Sequence, residues 1–225
     1  TNTAGLTISA ALATGVLVTG GSGNDSVKLG ATTKAITMGA GNDTVELTGA
    51  TLGTGGSIDA GDGTSDLLNM TAANAATASA TTGTTRFETK IAGFERFEIA
   101  QVGADTATTI DMAGLDDINY IVSNGIAADT DSTLDNLTFD NVVTGGTLHI
   151  KGGVSDTDSA TVLKVAGATV NANDTQTIRI DTGTTTGAVA AGSITLASVE
   201  NVVISTLDGT DADNDVASAI MTATL

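Results

Sequence analysis

Large apolar residues recur every nine positions early in the chain. Val27, Ile36 and Val45 form one column, and Leu29, Met38 and Leu47 form a second with the same step. Around each column apolar and polar positions alternate, the period of a half-buried strand. A step of nine with an inner period of two predicts one turn and one short strand per nine residues, with successive copies stacked on a narrow shared core. Two such segments close one coil, so residues 18 apart lie over one another. Ile58 and Leu68 extend the apolar column after a Gly/Thr/Ala-rich stretch at 48–56 that widens the coil. Leu6-Thr-Ile8 and Gly15-Val-Leu-Val18 predict the strands of the preceding coil.

Further on, alternation returns in short runs such as Ile118-Asn-Tyr-Ile-Val122, Leu137-Thr-Phe139, Thr147-Leu-His-Ile150, Val162-Leu-Lys-Val165 and Thr177-Ile-Arg-Ile180. Clusters of Gly, Asn, Asp and Thr punctuate them, which predicts an all-β architecture. Two segments echo one another: Ile91-Ala-Gly-Phe-Glu95 and Leu196-Ala-Ser-Val-Glu200 each lead into an alternating strand. Glu95 and Glu200 are expected at the corner where a loop re-enters a strand. Residues 71–86 are Ala- and Thr-rich and read either as a loop excursion or as a short helix. The resulting organisation is nonapeptide coils over 1–70, an excursion and closing strand over 71–100, and further coils of the same domain over 101–225. The fold class expected is all-β, a right-handed parallel β-solenoid, with a β-sandwich as the alternative for 101–225.

Composition sharpens this picture. Of 225 residues, 40% are hydrophobic but only 2% aromatic, which suits a thin core of Val, Ile, Leu, Ala and Thr. The 28 Gly and absence of Pro point to turns that need positive φ rather than a fixed one. The absence of Cys rules out disulfide staples, leaving bound metal as the natural device. Eight Lys and Arg against 26 Asp and Glu give a formal net charge of −18. That balance excludes nucleic-acid binding and disfavours anionic membrane surfaces. Such charge is costly to fold unless cations neutralise it, solubility being the simpler alternative. No apolar run is long enough to span a membrane. The chain starts without Met and mid-pattern, and reads as a fragment of something longer.

The candidate chemistry sits at the turns. Gly20-Gly-Ser-Gly-Asn-Asp25-Ser-Val-Lys28 fits the nonapeptide G-G-x-G-x-D-x-U-x, where U is a large apolar residue. Met38-Gly-Ala-Gly-Asn-Asp43-Thr-Val-Glu46 repeats it 18 residues later, with Met38 in place of the first Gly. Leu29 to Thr37 is a degenerate copy without the Asp. The stacking predicts Asp25 and Asp43 in adjacent loops. Two carboxylates about 5 Å apart at an effective dielectric near 20 repel by roughly 3 kcal/mol, and a cation between them reverses the sign. Carboxylates and the backbone carbonyls that a Gly-rich loop can turn inward form an all-oxygen set that favours Ca²⁺. A third loop, Ile58-Asp-Ala-Gly-Asp62-Gly-Thr-Ser-Asp66, adds Asp62, Asp66 and Gly61, with Asp59 as a lesser candidate. Asp62 and Asp66 are expected to face Asp43. Acidic loops at Asp129-Thr-Asp131, Asp156-Thr-Asp158 and Asp208 to Asp215, the last with Asp211, Asp213 and Asp215, are further calcium candidates or solvated loops. The last is not an EF-hand, because Val216 and Thr222 stand where that loop needs Gly and Glu.

Little else carries chemistry. Five Asn-x-Ser/Thr matches are discounted, two of them falling inside the nonapeptides. His149 is the sole histidine. Strand alternation sets it opposite Leu148 and Ile150, and so predicts it exposed. That leaves no His-based triad or zinc cluster, and no enzyme is expected.

Residues 10–100 resemble the calcium-binding part of RTX-type bacterial surface-layer (S-layer) proteins of the Caulobacter type. The resemblance rests on Thr19 to Asp25, Leu29-Gly-Ala-Thr-Thr-Lys-Ala-Ile36, Met38 to Val45, Ala50-Thr-Leu-Gly53, Gly55-Gly56, Gly61-Asp-Gly-Thr64 and Gly93-Phe-Glu95. Residues 101–225 match more loosely, through Ser198 to Ile204. It implies a secreted, structural β-roll on the outer surface of a Gram-negative cell, exported by a type I pathway, that binds several Ca²⁺ ions through Asp25, Asp43 and the carbonyls of Gly20, Gly21, Ser22, Gly23, Gly39, Ala40 and Gly41. Its partners would be copies of itself in a lattice and, through parts beyond this chain, cell-surface polysaccharide. A calcium-dependent adhesin stalk or glycan-binding module is the alternative.

Overall fold

The computed structural model describes residues 3–80, 86–103, 107–127, 134–154, 159–170, 173–181, 189 and 191–207. It is all-β with little helix, its strands running mostly parallel as a β-solenoid. The chain divides into two units, Thr1–Glu98 with Asp111–Ile118, and Ile99–Ile110 with Asn119–Leu225.

In the first unit one sheet has the order β1 (Thr7–Leu12), β2 (Ser26–Leu29), β4 (Thr44–Leu47), β6 (Leu67–Met70) and β8 (Arg96–Ile99). A second holds β3 (Ala35–Thr37), β5 (Ser57–Asp59) and β7 (Ile91–Ala92). Odd and even strands alternate between the sheets because each nonapeptide turn carries the chain across the core. The predicted columns are present in register: Val27 pairs with Val45 and Val45 with Leu68, while Leu29 pairs with Leu47 and Leu47 with Met70. Ile36, Ile58 and Ile91 stack in the second sheet. In β2, β4 and β6 inward residues are buried and their neighbours half-buried, as period two requires. Each buried Val, Leu or Ile contributes roughly 1.5–3 kcal/mol, so the thin core is a sum of many such columns.

Successive coils lengthen at the corner away from the Asp-bearing turns. The stretch at 71–86, open between loop and helix in the sequence, contains α1 (Ala72–Ser79). Thr71 caps it, its side chain accepting from the Asn74 N–H at 3.2 Å. Ala72, Ala75 and Ala78 form its buried side. Their small size lets the helix lie close to the coil. Residues 81–85 lie outside the described chain.

The second unit repeats the design with longer coils. One sheet runs β10 (Tyr120–Ser123), β12 (Thr147–Ile150), β14 (Thr175–Asp181) and β16 (Asn201–Leu207). The other runs β9 (Thr108–Asp111), β11 (Leu137–Val142), β13 (Ala160–Val165) and β15 (Ser193–Leu196). The pairing is parallel, as in Leu148 with Ile178 and Leu163 with Leu196. This overturns the β-sandwich alternative, since sandwich sheets are built from antiparallel hairpins.

His149 also departs from expectation: it is buried, at 4% exposure. Strand β12 has Leu148, His149 and Ile150 all buried, so both of its faces are covered and alternation no longer separates core from solvent. The Tyr120 hydroxyl lies 3.0 Å from His149 Nδ1, and Asp181 Oδ2 lies 3.6 Å from Nε2. Arg179 donates to the same Asp181 oxygen at 2.9 Å.

Candidate metal centre

The turns leading into β2, β4, β6 and β8 stack as a column, because the strands that follow them are in register. Their backbones bond along the stack: Ala40 N donates to Gly21 O at 2.9 Å, Asp62 N to Gly39 O at 2.7 Å, and Gly41 N to Asp62 O at 2.9 Å. Turns this close leave no room for a side chain at their inward glycines. A Cβ on Gly39 would stand 2.1 Å from Gly21 O, and one on Gly61 1.9 Å from Gly39 O. Both glycines also have positive φ, +108° and +94°. The motif's glycines are therefore required by the stacking itself. The carbonyls of Gly21 and Gly39, expected to turn toward an ion, each accept an N–H from the next turn.

Acidic residues end these turns, one per coil. Asp25 N donates to Asp43 Oδ1 at 2.7 Å, Asp43 N to Asp66 Oδ1 at 2.6 Å, and Asp66 N to Glu95 Oε2 at 2.9 Å. Each carboxylate thus caps the backbone of the coil before it. Asp25, Asp43 and Asp66 are buried, at 2%, 0% and 0% exposure. An outer ladder runs alongside: Asn42 N donates to Asn24 Oδ1 at 2.9 Å and Thr64 N to Asn42 Oδ1 at 3.3 Å.

The free oxygens are distributed unevenly. Both oxygens of Asp25 accept backbone hydrogen bonds, Oδ1 from Leu6 N at 2.6 Å and Oδ2 from Gly21 N at 2.9 Å. Oδ2 of Asp43 and Oδ2 of Asp66 are buried with no hydrogen-bond partner. A Cβ on Gly63 would meet Asp66 Oδ2 at 2.2 Å, so that glycine gives the carboxylate its place. The centre of the candidate site is therefore Asp43 and Asp66 rather than Asp25 and Asp43.

The backbone of Asp62 pairs with Ala40, and the extra residue of its loop brings Asp66 to the position stacked on Asp43. Asp62 instead lines an open groove of about 410 Å³ with Asn24, Gly41, Asn42, Gly63 and Thr64. Asp59 is in β5, where Oδ1 accepts from Gly61 N at 3.1 Å. Asp129, Asp131, Asp156, Asp158, Asp208, Asp211, Asp213 and Asp215 lie outside the described residues.

Both carboxyls of this pair are raised above the ordinary Asp value. Burial pushes the Asp66 carboxyl up from 3.8 to about 6, against the pull of the Asp43 N–H, and the charges of Glu95 and Asp43 add to the rise. Asp43 is raised as well, first by burial and then by the charge of Asp25. Asp116, whose Oδ2 accepts from Phe94 N at 2.7 Å, is raised by burial too. A carboxylate in such surroundings needs a proton or a cation.

No known protein family matches the chain, and no curated protein is similar to it. Among the described residues no three Asp, Glu, His or Cys side chains converge to hold a metal by side chains alone. An ion here would complete its shell with carbonyl and water oxygens. That requirement suits Ca²⁺, which takes six to eight oxygens in flexible geometry, and does not suit zinc. The buried, unpartnered oxygens of Asp43 and Asp66 fit such an ion.

Sequence reasoning missed the acceptor role of Glu95. It placed the residue correctly at the corner entering β8, but the stacked position is Asp in the earlier coils. The spacing was the available signal, since Glu95 precedes Phe97 and Ile99 by two and four residues, as Asp43 precedes Val45 and Leu47.

Proposed function

We propose that this chain is a structural, calcium-stapled β-solenoid of an extracellular surface-layer protein. The observation that carries it is the column of stacked carboxylates in which Asp43 and Asp66 each bury one oxygen without a partner. Asp43 and Asp66 would hold the ion, with Asp62 at the adjoining groove and turn carbonyls completing the shell. Bound calcium supplies the positive charge that offsets burial and mutual repulsion. The residues' own part is to fix the turns: Asp43 and Asp66 each keep one oxygen on the neighbouring coil while the other has no hydrogen-bond partner. The nonapeptides, the acidic balance of −18 and the lack of Cys support the same reading. Folding would then follow the calcium of the extracellular space, and the coils would present a stiff wall for lattice contacts with other copies.

The test is thermal melting of the whole chain followed by circular dichroism, in chelator and during Ca²⁺ and Mg²⁺ titrations. An ion of Kd about 10⁻⁴ M stabilises by about 2.7 kcal/mol at a hundredfold excess. Calcium should raise Tm, magnesium should do so far less, and the gain should vanish in Asp43→Asn/Asp66→Asn. Electron microscopy of the calcium-loaded protein should show ordered sheets. An unchanged melt in 10 mM Ca²⁺ (roughly a hundredfold excess at that Kd) overturns the staple, and dispersed monomers in calcium overturn the lattice.

A further inference from the structure

The second unit contains a corner built like the Asp66/Glu95 corner, in a stretch with no nonapeptide. Asp174 N donates to Glu200 Oε2 at 2.9 Å, the length of the Asp66 N to Glu95 Oε2 bond. The return bonds match as well: Asn201 N donates to Asp174 O at 2.9 Å, and Arg96 N to Asp66 O at 2.9 Å. The two glutamates end the echoed segments Ile91 to Glu95 and Leu196 to Glu200. The third residue of each has positive φ, Gly93 at 80° and Ser198 at 59°. Left-handed backbone at a Ser is uncommon and is held here by the turn that delivers Glu200. The residues before the glutamates, Phe94 and Val199, are both 2% exposed and anchor their turns in the core.

The repeat extends to the unsatisfied atom. Asp174 is 1% exposed, and its Oδ2 is buried with no hydrogen-bond partner. Among the described residues no Lys or Arg pairs with Asp174 or Glu200. A buried carboxylate with a second carboxylate on its own backbone N–H and no cationic side chain is unfavourable as it stands.

We propose that Asp174 and Glu200 form a second divalent-cation site, an all-oxygen Ca²⁺ site independent of the nonapeptide turns. Oδ2 of Asp174 and the carboxylate of Glu200 are its side-chain ligands, with backbone carbonyls and water as the remainder. Its residues are separate from Asp43 and Asp66, so this site and the surface-layer reading can fail separately.

The experiment counts bound Ca²⁺ per chain by equilibrium dialysis against CaCl₂, for the whole chain and three variants. Asp174→Asn and Glu200→Gln should each lose one ion relative to the unsubstituted chain. Asp43→Asn/Asp66→Asn should keep that ion while losing others. Full ion counts in both Asp174→Asn and Glu200→Gln overturn the site. A double variant that binds none, or an unsubstituted chain that binds none, overturns it too. Hydrogen exchange on the unsubstituted chain covers variants that fail to fold. Adding CaCl₂ should slow exchange at least tenfold in peptides spanning 173–181 and 199–207, and unchanged exchange there overturns the proposal.

Discussion

Asp66 is buried completely, and its two oxygens lie in different surroundings. Oδ1 accepts the Asp43 N–H, while Oδ2 has no partner. Without cations the residue holds its proton up to about pH 6, against 3.8 for an ordinary Asp. The folded chain therefore binds that proton more tightly than the unfolded chain does. Its contribution is complete below pH 3.8 and is lost as pH rises through about 6, a difference of no more than about 3 kcal/mol. In chelator, Tm should fall between pH 4 and pH 7, and Asp66→Asn should flatten that slope. At pH 7 calcium should restore what the lost proton removed, and at pH 4 it should add little. A slope between pH 4 and pH 7 that Asp66→Asn leaves unchanged would contradict this account of Asp66.

At the scale of the element, strands of three or four residues are too short to hold register by hydrogen bonds alone. Register comes from the buried columns and from the capped turns. The spacing between capping carboxylates grows from 18 residues for Asp25 and Asp43 to 23 for Asp43 and Asp66 and 29 for Asp66 and Glu95. Most of the extra residues go to the opposite corner, including α1, and the capping carboxylates stay in line. Ile58 sits between Ile36 and Ile91 and is 1% exposed. Ile58→Ala should cost about 2–5 kcal/mol in denaturant unfolding, because its neighbours are fixed by their own coils and cannot collapse into the space. The Lys28–Glu46 ion pair across β2 and β4 is half exposed. Glu46→Ala should cost less than about 1 kcal/mol in the same assay. Equal losses would mean that surface pairs, not the columns, hold the register.

Across the whole molecule, each coil is stabilised chiefly by the coils beside it, so stability is close to a sum of neighbouring interfaces. A net charge of −18 works against every one of those interfaces. General screening and specific ion binding are separable. In 1 M NaCl the Debye length shrinks to about 3 Å, which weakens repulsion between surface carboxylates but does not reach buried ones. The melting temperature should rise more in 10 mM CaCl₂ (the dose of the calcium melt, about a hundredfold excess) than in 1 M NaCl. Equal gains would reduce the acidic residues to a solubility device.

Much of this design is local in the chain and was legible there. The step of nine in Val27, Ile36 and Val45 is a direct image of the coil, because every coil repeats one geometry and the core admits one side of each strand. The turn glycines were legible for the same reason, although their cause, turn against turn at Gly39 and Gly61, is visible only in the stack. What required the tertiary structure was whatever depends on which coil lies next to which. An extra residue in one loop moved Asp66 rather than Asp62 over Asp43. Cover on both faces of β12 buried His149 where alternation alone exposed it. Asp174 and Glu200 are 26 residues apart, with no repeat between them to mark the pair. Sequence periodicity determined the solenoid because stacking repeats it. The placement of single carboxylate oxygens was decided by contacts between coils, where spacing is no longer constant.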